Sequence, residues 1–116
     1  GLGWLNTRPG PQHGDWGLSV SDIECAVSNH SFVHELGHNM GLEHDRWVSP
    51  GGDPGAVNYG YVVLDKQVRD VMAYNNACEE KDVYCQRLTY FSSPKLSVGG
   101  SSFGQAPEDG EGAYNI

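Results

Sequence analysis

The clearest hydrophobic pattern in the chain lies at residues 26–40, AVSNHSFVHELGHNM. The spacing of its apolar side chains is typical of one face of a helix, and these side chains are Val27, Phe32, Val33, Leu36 and Met40. The pattern predicts a single helix, with Ser28 or Asn29 as its N-terminal cap. Gly41 follows directly and suits the left-handed backbone conformation that commonly ends a helix.

The remaining chain mixes short extended pieces with loops rich in Pro and Gly. Residues 1–5 and 18–25 are predicted to be extended, and residues 6–17 between them to form an exposed loop. Residues 61–68 are interpreted as a strand or a turn, and residues 87–100 as partly extended. With 38% hydrophobic residues and 16 glycines, the chain is expected to contain many loops and few helices.

Length and charge exclude several classes of protein. The 116 residues are enough for one small domain, and no linker divides them. Acidic residues outnumber basic ones by 15 to 7, whereas binding of nucleic acid needs clustered Lys and Arg. No apolar run approaches the roughly 18 residues that a membrane-spanning helix requires. We therefore expect neither a nucleic-acid partner nor a membrane span.

Two of the three cysteines enclose a short polar loop. Cys78 and Cys85 are the first and last residues of CEEKDVYC, and their spacing predicts a disulfide and an extracellular, secreted protein. The alternative is a pair of free thiols in a cytosolic protein. Cys25 is then either a buried free thiol or the partner of a cysteine outside this chain.

Three of the five histidines lie within HELGHNMGLEHD, residues 34–45. On a helix, His34 and His38 are separated by about 40° around the axis and about 6 Å along it. Both can therefore bind one metal ion. Glu35 is turned by about 100° from His34, so its carboxylate can reach a water beside the metal rather than the metal itself.

The third histidine requires the helix to end. In a continuing helix, His44 would lie about 240° around the axis from His38 and would point away from the metal. Gly41 allows the chain to turn back at little steric cost, which brings His44 to the same ion. Three imidazoles form a catalytic zinc site with one position left open. His30 and His13 are interpreted as lying outside the set of ligands.

The full pattern H-E-x-x-H-x-x-G-x-x-H resembles the signature of the metzincin clan of zinc endopeptidases. The same clan has a later methionine turn, which DVMAY at residues 70–74 matches. The resemblance implies that Met72 lies beneath the metal as an apolar floor. It also implies an α+β, metzincin-like zincin catalytic domain. Residues 1–116 would form a single, partial domain that contains the active-site helix and the C-terminal part.

Shorter stretches narrow the resemblance. Asp45 after the third histidine is similar to the adamalysin or reprolysin group, whereas Tyr74 is similar to astacins and serralysins. The stretches HELGHNMGLEHD, VMAYNNAC and RLTYFSSP look most like bacterial reprolysin-like secreted proteases, including the peptidyl-Asp metalloendopeptidases. The resemblance implies that Tyr74 donates a hydrogen bond to the oxyanion and that Asp45 braces the site. It further implies that residues 90–94 form one wall of the substrate pocket.

The sequence thus predicts a zinc-dependent endopeptidase that acts on proteins or peptides. His34, His38 and His44 would bind one zinc ion, Glu35 would act as general base, and Tyr74 would assist catalysis.

Three alternatives remain open. A catalytically inactive, protease-like zinc-binding module is disfavoured by Glu35. A structural zinc domain would need a fourth Cys or His nearby. A zinc hydrolase acting on non-peptide substrates shares the same ligand pattern. Calcium binding is compatible with 15 carboxylates, but the chain has no spaced calcium loop.

Overall fold

The computed structural model describes residues 1–51, 55–110 and 112–115, which form two compact units, Gly1–Glu43 and His44–Ile116. The first unit contains two strands and two α-helices: β1 (Leu2–Gly3), β2 (Ser19–Val20), α1 (Ile23–Ser28) and α2 (Ser31–Asn39). The described residues of the second unit form five strands and one α-helix: β3 (Val62–Val63), β4 (Val68–Arg69), α3 (Asn76–Glu79), β5 (Gln86–Arg87), β6 (Ser93–Val98) and β7 (Ser101–Phe103). Short 3₁₀ helices occupy Pro11–Trp16, Leu64–Lys66 and Pro107–Asp109. The structure is therefore a small mixture of helices and strands, as predicted.

In the first unit, helix α2 is attached to an antiparallel strand pair. Strands β1 and β2 pair Leu2 with Val20 and Gly3 with Ser19. The side-chain amide of Asn39, at the end of α2, donates to the carbonyl oxygens of Trp4 and Leu18 at 2.9 and 3.0 Å. These hydrogen bonds fix the C-terminal end of the helix against the strand pair. The predicted loop at residues 6–17 instead contains the first 3₁₀ helix.

The helix predicted for residues 26–40 is in fact two helices, and the predicted cap at Ser28 or Asn29 is wrong. His30 lies between α1 and α2 with a left-handed backbone (φ 56°), which interrupts the helical path. Helix α1 begins earlier because the carboxylate of Asp22 accepts hydrogen bonds from the amides of Glu24 and Cys25. Residues 18–25 are consequently extended only at β2.

Burial on α2 follows its polar motif and not its apolar pattern. Phe32, Leu36 and Met40 are 50%, 39% and 48% exposed. The buried residues of this helix are His34, Glu35, Gly37 and His38. Burying ionisable groups is costly unless they have partners, so apolar packing alone does not explain why this face of α2 is the buried one.

The second unit contains two small sheets. Strand β4 pairs antiparallel with β3 and parallel with β5, and β6 pairs antiparallel with β7. Tyr59, Val71 and Met72 are almost completely buried.

The predicted disulfide between Cys78 and Cys85 is confirmed, with a Cα–Cα distance of 6.0 Å. In the first unit, the half-buried Cys25 carries a free thiol.

The buried carboxylate of Asp70 holds the turn at residues 70–74 in place. Its Oδ1 accepts from the amides of Met72 and Ala73 at 3.0 and 2.8 Å, and its Oδ2 accepts from the hydroxyl of Ser92 at 2.5 Å. Burial raises the pKa of Asp70 to about 6, although the hydrogen bonds from Ser92 and Ala73 act in the opposite direction. A Cβ atom on Gly60 would lie 2.9 Å from the amide nitrogen of Ala73, so the turn also requires a glycine beside it.

We expect Asp70 to make stability depend on pH. Its folded-state pKa, about 6, lies above the ordinary value of 3.8. The folded protein therefore binds this proton more tightly, and the contribution to stability falls as pH rises from about 4 to about 6. Relative to Asp70→Asn, the free energy of unfolding should fall by up to about 3 kcal/mol over this range, measured by urea denaturation.

Asp65→Asn is the control for this prediction. The hydrogen bond from Ser101 lowers the pKa of the exposed Asp65. Its contribution should therefore be lost as pH falls, which gives a slope of the opposite sign. A pH-independent difference between the original protein and Asp70→Asn would contradict the assignment.

Candidate metal centre

Helix α2 carries three buried ionisable side chains of the motif. His34, Glu35 and His38 are 4%, 5% and 8% exposed. Since His34 and His38 are four residues apart, their side chains leave the helix on the same side. Their ring centroids lie 4.8 Å apart with the planes at 90°. The helical part of the predicted arrangement is therefore present.

The helix ends where the sequence predicts, at a glycine with positive φ. Gly41 has a φ of 89°, and its amide donates to the carbonyl oxygen of His38 at 2.9 Å. The amide of Leu42 donates to the carbonyl oxygen of Gly37, also at 2.9 Å. A Cβ atom on Gly41 would lie 2.9 Å from the carbonyl oxygen of Asn6. Both conformation and space therefore demand glycine here.

The turn after Gly41 also sets the tautomer of His38. Nδ1 of His38 lies 2.8 Å from the carbonyl oxygen of Leu42. Because a carbonyl oxygen can only accept, Nδ1 must be the protonated nitrogen of the ring. The lone pair on Nε2 is then available to a metal, as in metal sites where a histidine donates its other N–H to a backbone carbonyl.

The three histidines of the motif lie close together. One nitrogen from each of His34, His38 and His44 lies within 4.8 Å of the others. Imidazole nitrogens suit zinc and other transition metals, whereas calcium and magnesium prefer oxygen ligands. This group could therefore hold a metal ion, and its donors fit zinc.

In the second unit, Asp45, which directly follows His44, is hydrogen-bonded to the backbone of Tyr74. The buried Asp45 carboxylate accepts from the backbone amide of Tyr74 at 2.8 Å and from that of Trp47 at 3.1 Å. The ring of Tyr74 contacts the ring of His44 edge-on, with 4.5 Å between centroids. Asp45 thus holds the backbone at Tyr74 and Trp47, and the bracing of a metal site that the resemblance implies stays a prediction.

Two arginines reinforce the same turn, and sequence reasoning missed both. Nη1 of Arg69 donates to the carbonyl oxygen of Ala73 at 2.5 Å, and Nη2 of Arg87 donates to the same oxygen at 3.2 Å. The guanidinium carbon of Arg87 lies 5.9 Å from the centroid of the Tyr74 ring. No local sequence pattern predicts this pair, because 17 residues separate the two arginines in the chain.

Glu35 is closely approached by strand β1, which sequence reasoning also missed. A Cβ atom on Gly3 would lie 2.8 Å from the backbone oxygen of Glu35 and 2.8 Å from its Oε2. The missing side chain at Gly3 therefore leaves the space that the Glu35 carboxylate occupies.

The remaining residues singled out in the sequence are residues 90–94, Met72, His13 and His30. The amide of Val71 donates to the carbonyl oxygen of Tyr90 at 3.0 Å, so residues 90–94 pack on the methionine turn. Their role as a pocket wall stays a prediction, as does a place for the fully buried Met72 beneath a metal. His13 and His30 are half-buried and outside the three-histidine group.

We expect His44→Ala to weaken zinc binding by about 100-fold or more, because it leaves two imidazole ligands where catalytic sites use three protein ligands. The affinity is measured by titration of the whole protein with zinc against a chelator of known affinity. His13→Ala, which removes a histidine outside the group, is the matched control and should bind zinc as the unchanged protein does. Equal affinity in His44→Ala would show that the three histidines do not act together.

Comparison with known proteins identifies bacterial relatives that share one name. The chain is 37% identical over 83 residues to the peptidyl-Asp metalloendopeptidase of Xanthomonas campestris pv. campestris, covering 72% of this chain and 18% of that protein. It is 35% identical over 86 residues to the enzyme of that name from Stenotrophomonas maltophilia, with 72% and 19% covered. For the one from Pseudomonas fragi the identity is 35% over 75 residues, with 64% and 48% covered.

The chain spans less than a fifth of the length of the first two relatives. No protein-family profile and no solved structure matches it. These two comparisons therefore give no evidence on the fold beyond the geometry described above. Over about 72% of its length, however, this chain is related to the bacterial metallopeptidases that bear the name peptidyl-Asp metalloendopeptidase.

Proposed function

We propose that this chain carries the active site of a zinc-dependent endopeptidase of the metzincin type. The observation that supports this most is the convergence of His34, His38 and His44, with the carboxylate of Glu35 buried on the same helix. A structural zinc site would be closed by a fourth Cys or His. The arrangement of three histidines and one carboxylate favours hydrolysis.

His34, His38 and His44 would hold the zinc ion, and the hydrogen bond from His38 to Leu42 keeps one of the rings in the tautomer that can bind it. Bound zinc would supply Lewis-acid chemistry toward the attacking water and the substrate carbonyl. The histidines themselves undergo no proton transfer in this scheme. Their task is to position the ion and leave one side of it open.

Glu35 is the general base of the proposed reaction. Its carboxylate accepts the proton of the attacking water and later delivers that proton to the leaving amine. Burial at 5% exposure keeps bulk water away from the group, and the close approach of Gly3 restricts its movement. The side chain is thereby held for proton transfer.

Tyr74 is proposed to stabilise the charge that develops on the substrate carbonyl oxygen. Its ring lies against that of His44, and Asp45 fixes its backbone. The side chain remains 39% exposed, so its hydroxyl can meet a substrate. A phenol that donates a hydrogen bond to a developing oxyanion lowers the barrier to peptide hydrolysis.

The proposed substrates are proteins or peptides that contain aspartate beside the cleaved bond, because the relatives are named for that residue.

The proposed setting is extracellular, since the disulfide between Cys78 and Cys85 needs an oxidising compartment. Among the helices of the described ranges, none has the length and apolar character required to cross a bilayer.

We expect Glu35→Gln to retain zinc and to lower kcat by about 10²- to 10⁴-fold, because it removes the general base and keeps the shape of the side chain. The test is a digest of a diverse peptide mixture by the zinc-loaded whole protein, read by mass spectrometry. Glu43→Gln, in the loop before His44, is the control and should cut as the unchanged protein does. Undiminished cleavage by Glu35→Gln would remove the proposed base.

The same digest tests a catalytically inactive zinc-binding module as the alternative. That alternative predicts zinc binding without any cut in the mixture. Cuts that require zinc and Glu35 would exclude it.

We expect Tyr74→Phe to lower kcat by about 10- to 100-fold with little change in KM, since the hydroxyl acts in the transition state. The measurement is steady-state hydrolysis of one fluorogenic peptide. Tyr84→Phe, at a tyrosine that is 67% exposed, serves as the control. An unchanged kcat in Tyr74→Phe would reduce Tyr74 to a packing role.

A further inference from the structure

Two guanidinium groups lie together at the turn that leads into Tyr74. Arg69 and Arg87 are directly paired in the parallel register of β4 and β5, and both donate to the carbonyl oxygen of Ala73. The chain as a whole carries a net charge of −8 with seven Lys and Arg residues. Two of those seven thus converge on one carbonyl oxygen.

The two arginines differ in their exposure to solvent. Arg69 is 8% exposed and also donates through Nε to the carbonyl oxygen of Cys85 at 3.0 Å. Nε and Nη1 of Arg69 thus both donate to backbone carbonyl oxygens. Arg87 is half-buried, and its guanidinium approaches the Tyr74 ring. Arg87 is therefore the member of the pair that a ligand can reach.

The charge of Arg87 is held at an energetic cost. Burial lowers the pKa of Arg87 and the positive charge of Arg69 lowers it further, although Tyr74 and Asp70 act in the opposite direction. An arginine remains protonated at neutral pH even so. A carboxylate placed against Arg87 would offset both the lost hydration and the repulsion.

The position of Arg87 suits the recognition of a residue close to the cleaved bond. Successive contacts of 4.5 and 5.9 Å connect the His44 ring, the Tyr74 ring and the Arg87 guanidinium. An extended peptide advances about 3.3 to 3.6 Å per residue. The path from His44 to Arg87 therefore corresponds to about three residues of substrate at most.

We propose that Arg87 binds the carboxylate of an acidic substrate side chain and so determines the preference for aspartate. This inference rests on the endopeptidase function proposed above. The planar guanidinium can hold a carboxylate through two parallel hydrogen bonds. The pairing of β5 with β4 and the disulfide at Cys85 fix the backbone from which Arg87 extends.

The test compares two peptides that differ only in Asp or Asn next to the cleaved bond. We measure kcat/KM for both with the zinc-loaded whole protein, with Arg87→Gln and with Lys81→Gln. The Asp/Asn ratio should fall by about 10- to 100-fold in Arg87→Gln, because a hydrogen-bonded charge pair is lost. It should stay constant in Lys81→Gln, which removes one exposed positive charge from the disulfide loop.

Arg87→Lys is a second variant, which keeps the positive charge but replaces the planar guanidinium with an ammonium group. Its ratio should lie between those of the original protein and Arg87→Gln, and thermal unfolding of each variant checks that it is folded. If Arg87→Gln does not fold, Arg87→Lys makes the same comparison. A ratio in Arg87→Lys equal to that of the original protein would then overturn the proposal.

The outcomes separate the two proposals. An equal fall in kcat/KM for both peptides would mean that Arg87 acts through the Ala73 carbonyl alone, which overturns its role in specificity. Cleavage by the original protein with no preference for Asp would also overturn that role, while the endopeptidase function stands. No zinc-dependent cleavage of either peptide, nor of any peptide in the diverse mixture, would overturn the endopeptidase function and this inference with it.

Discussion

The end of helix α2 at Gly41 is the constraint on which the histidine group depends. A continuing helix would turn His44 about 240° away from His38. The chain reverses because Gly41 adopts a φ of 89° at a place where a Cβ atom would meet the backbone of Asn6. The same turn presents the Leu42 carbonyl to His38 and thereby selects its tautomer. One local reversal thus controls both the position and the protonation of possible ligands.

The turn at residues 70–74 imposes a second constraint, because its backbone polar groups are buried and must be satisfied. Asp70 accepts from the amides of Met72 and Ala73, Asp45 accepts from that of Tyr74, and two arginines donate to the Ala73 carbonyl. These side chains come from separate parts of the second unit. Because all of these side chains form hydrogen bonds with the same turn, the backbone of Tyr74 is fixed while its ring stays exposed.

The sequence predicted the features that depend on local spacing. His34, His38 and Gly41 could be placed because helical geometry relates residues a few positions apart, and the disulfide because Cys78 and Cys85 enclose a short loop. The break at His30 was missed, since a left-handed histidine leaves no mark in the apolar pattern. The exposure of Phe32 and Leu36 was missed as well, because burial depends on what packs against a helix.

Local sequence patterns do not predict the pair formed by Arg69 and Arg87, because this pair arises from strand register. The role proposed for Arg87 would also reconcile the composition of the chain with the proposed substrate. A net charge of −8 favours basic peptides, whereas the relatives are named for aspartate. At physiological salt, charges separated by more than about 8 Å are largely screened. A half-buried guanidinium in direct contact with a carboxylate is screened far less, so a single arginine can set specificity against the charge of the whole chain.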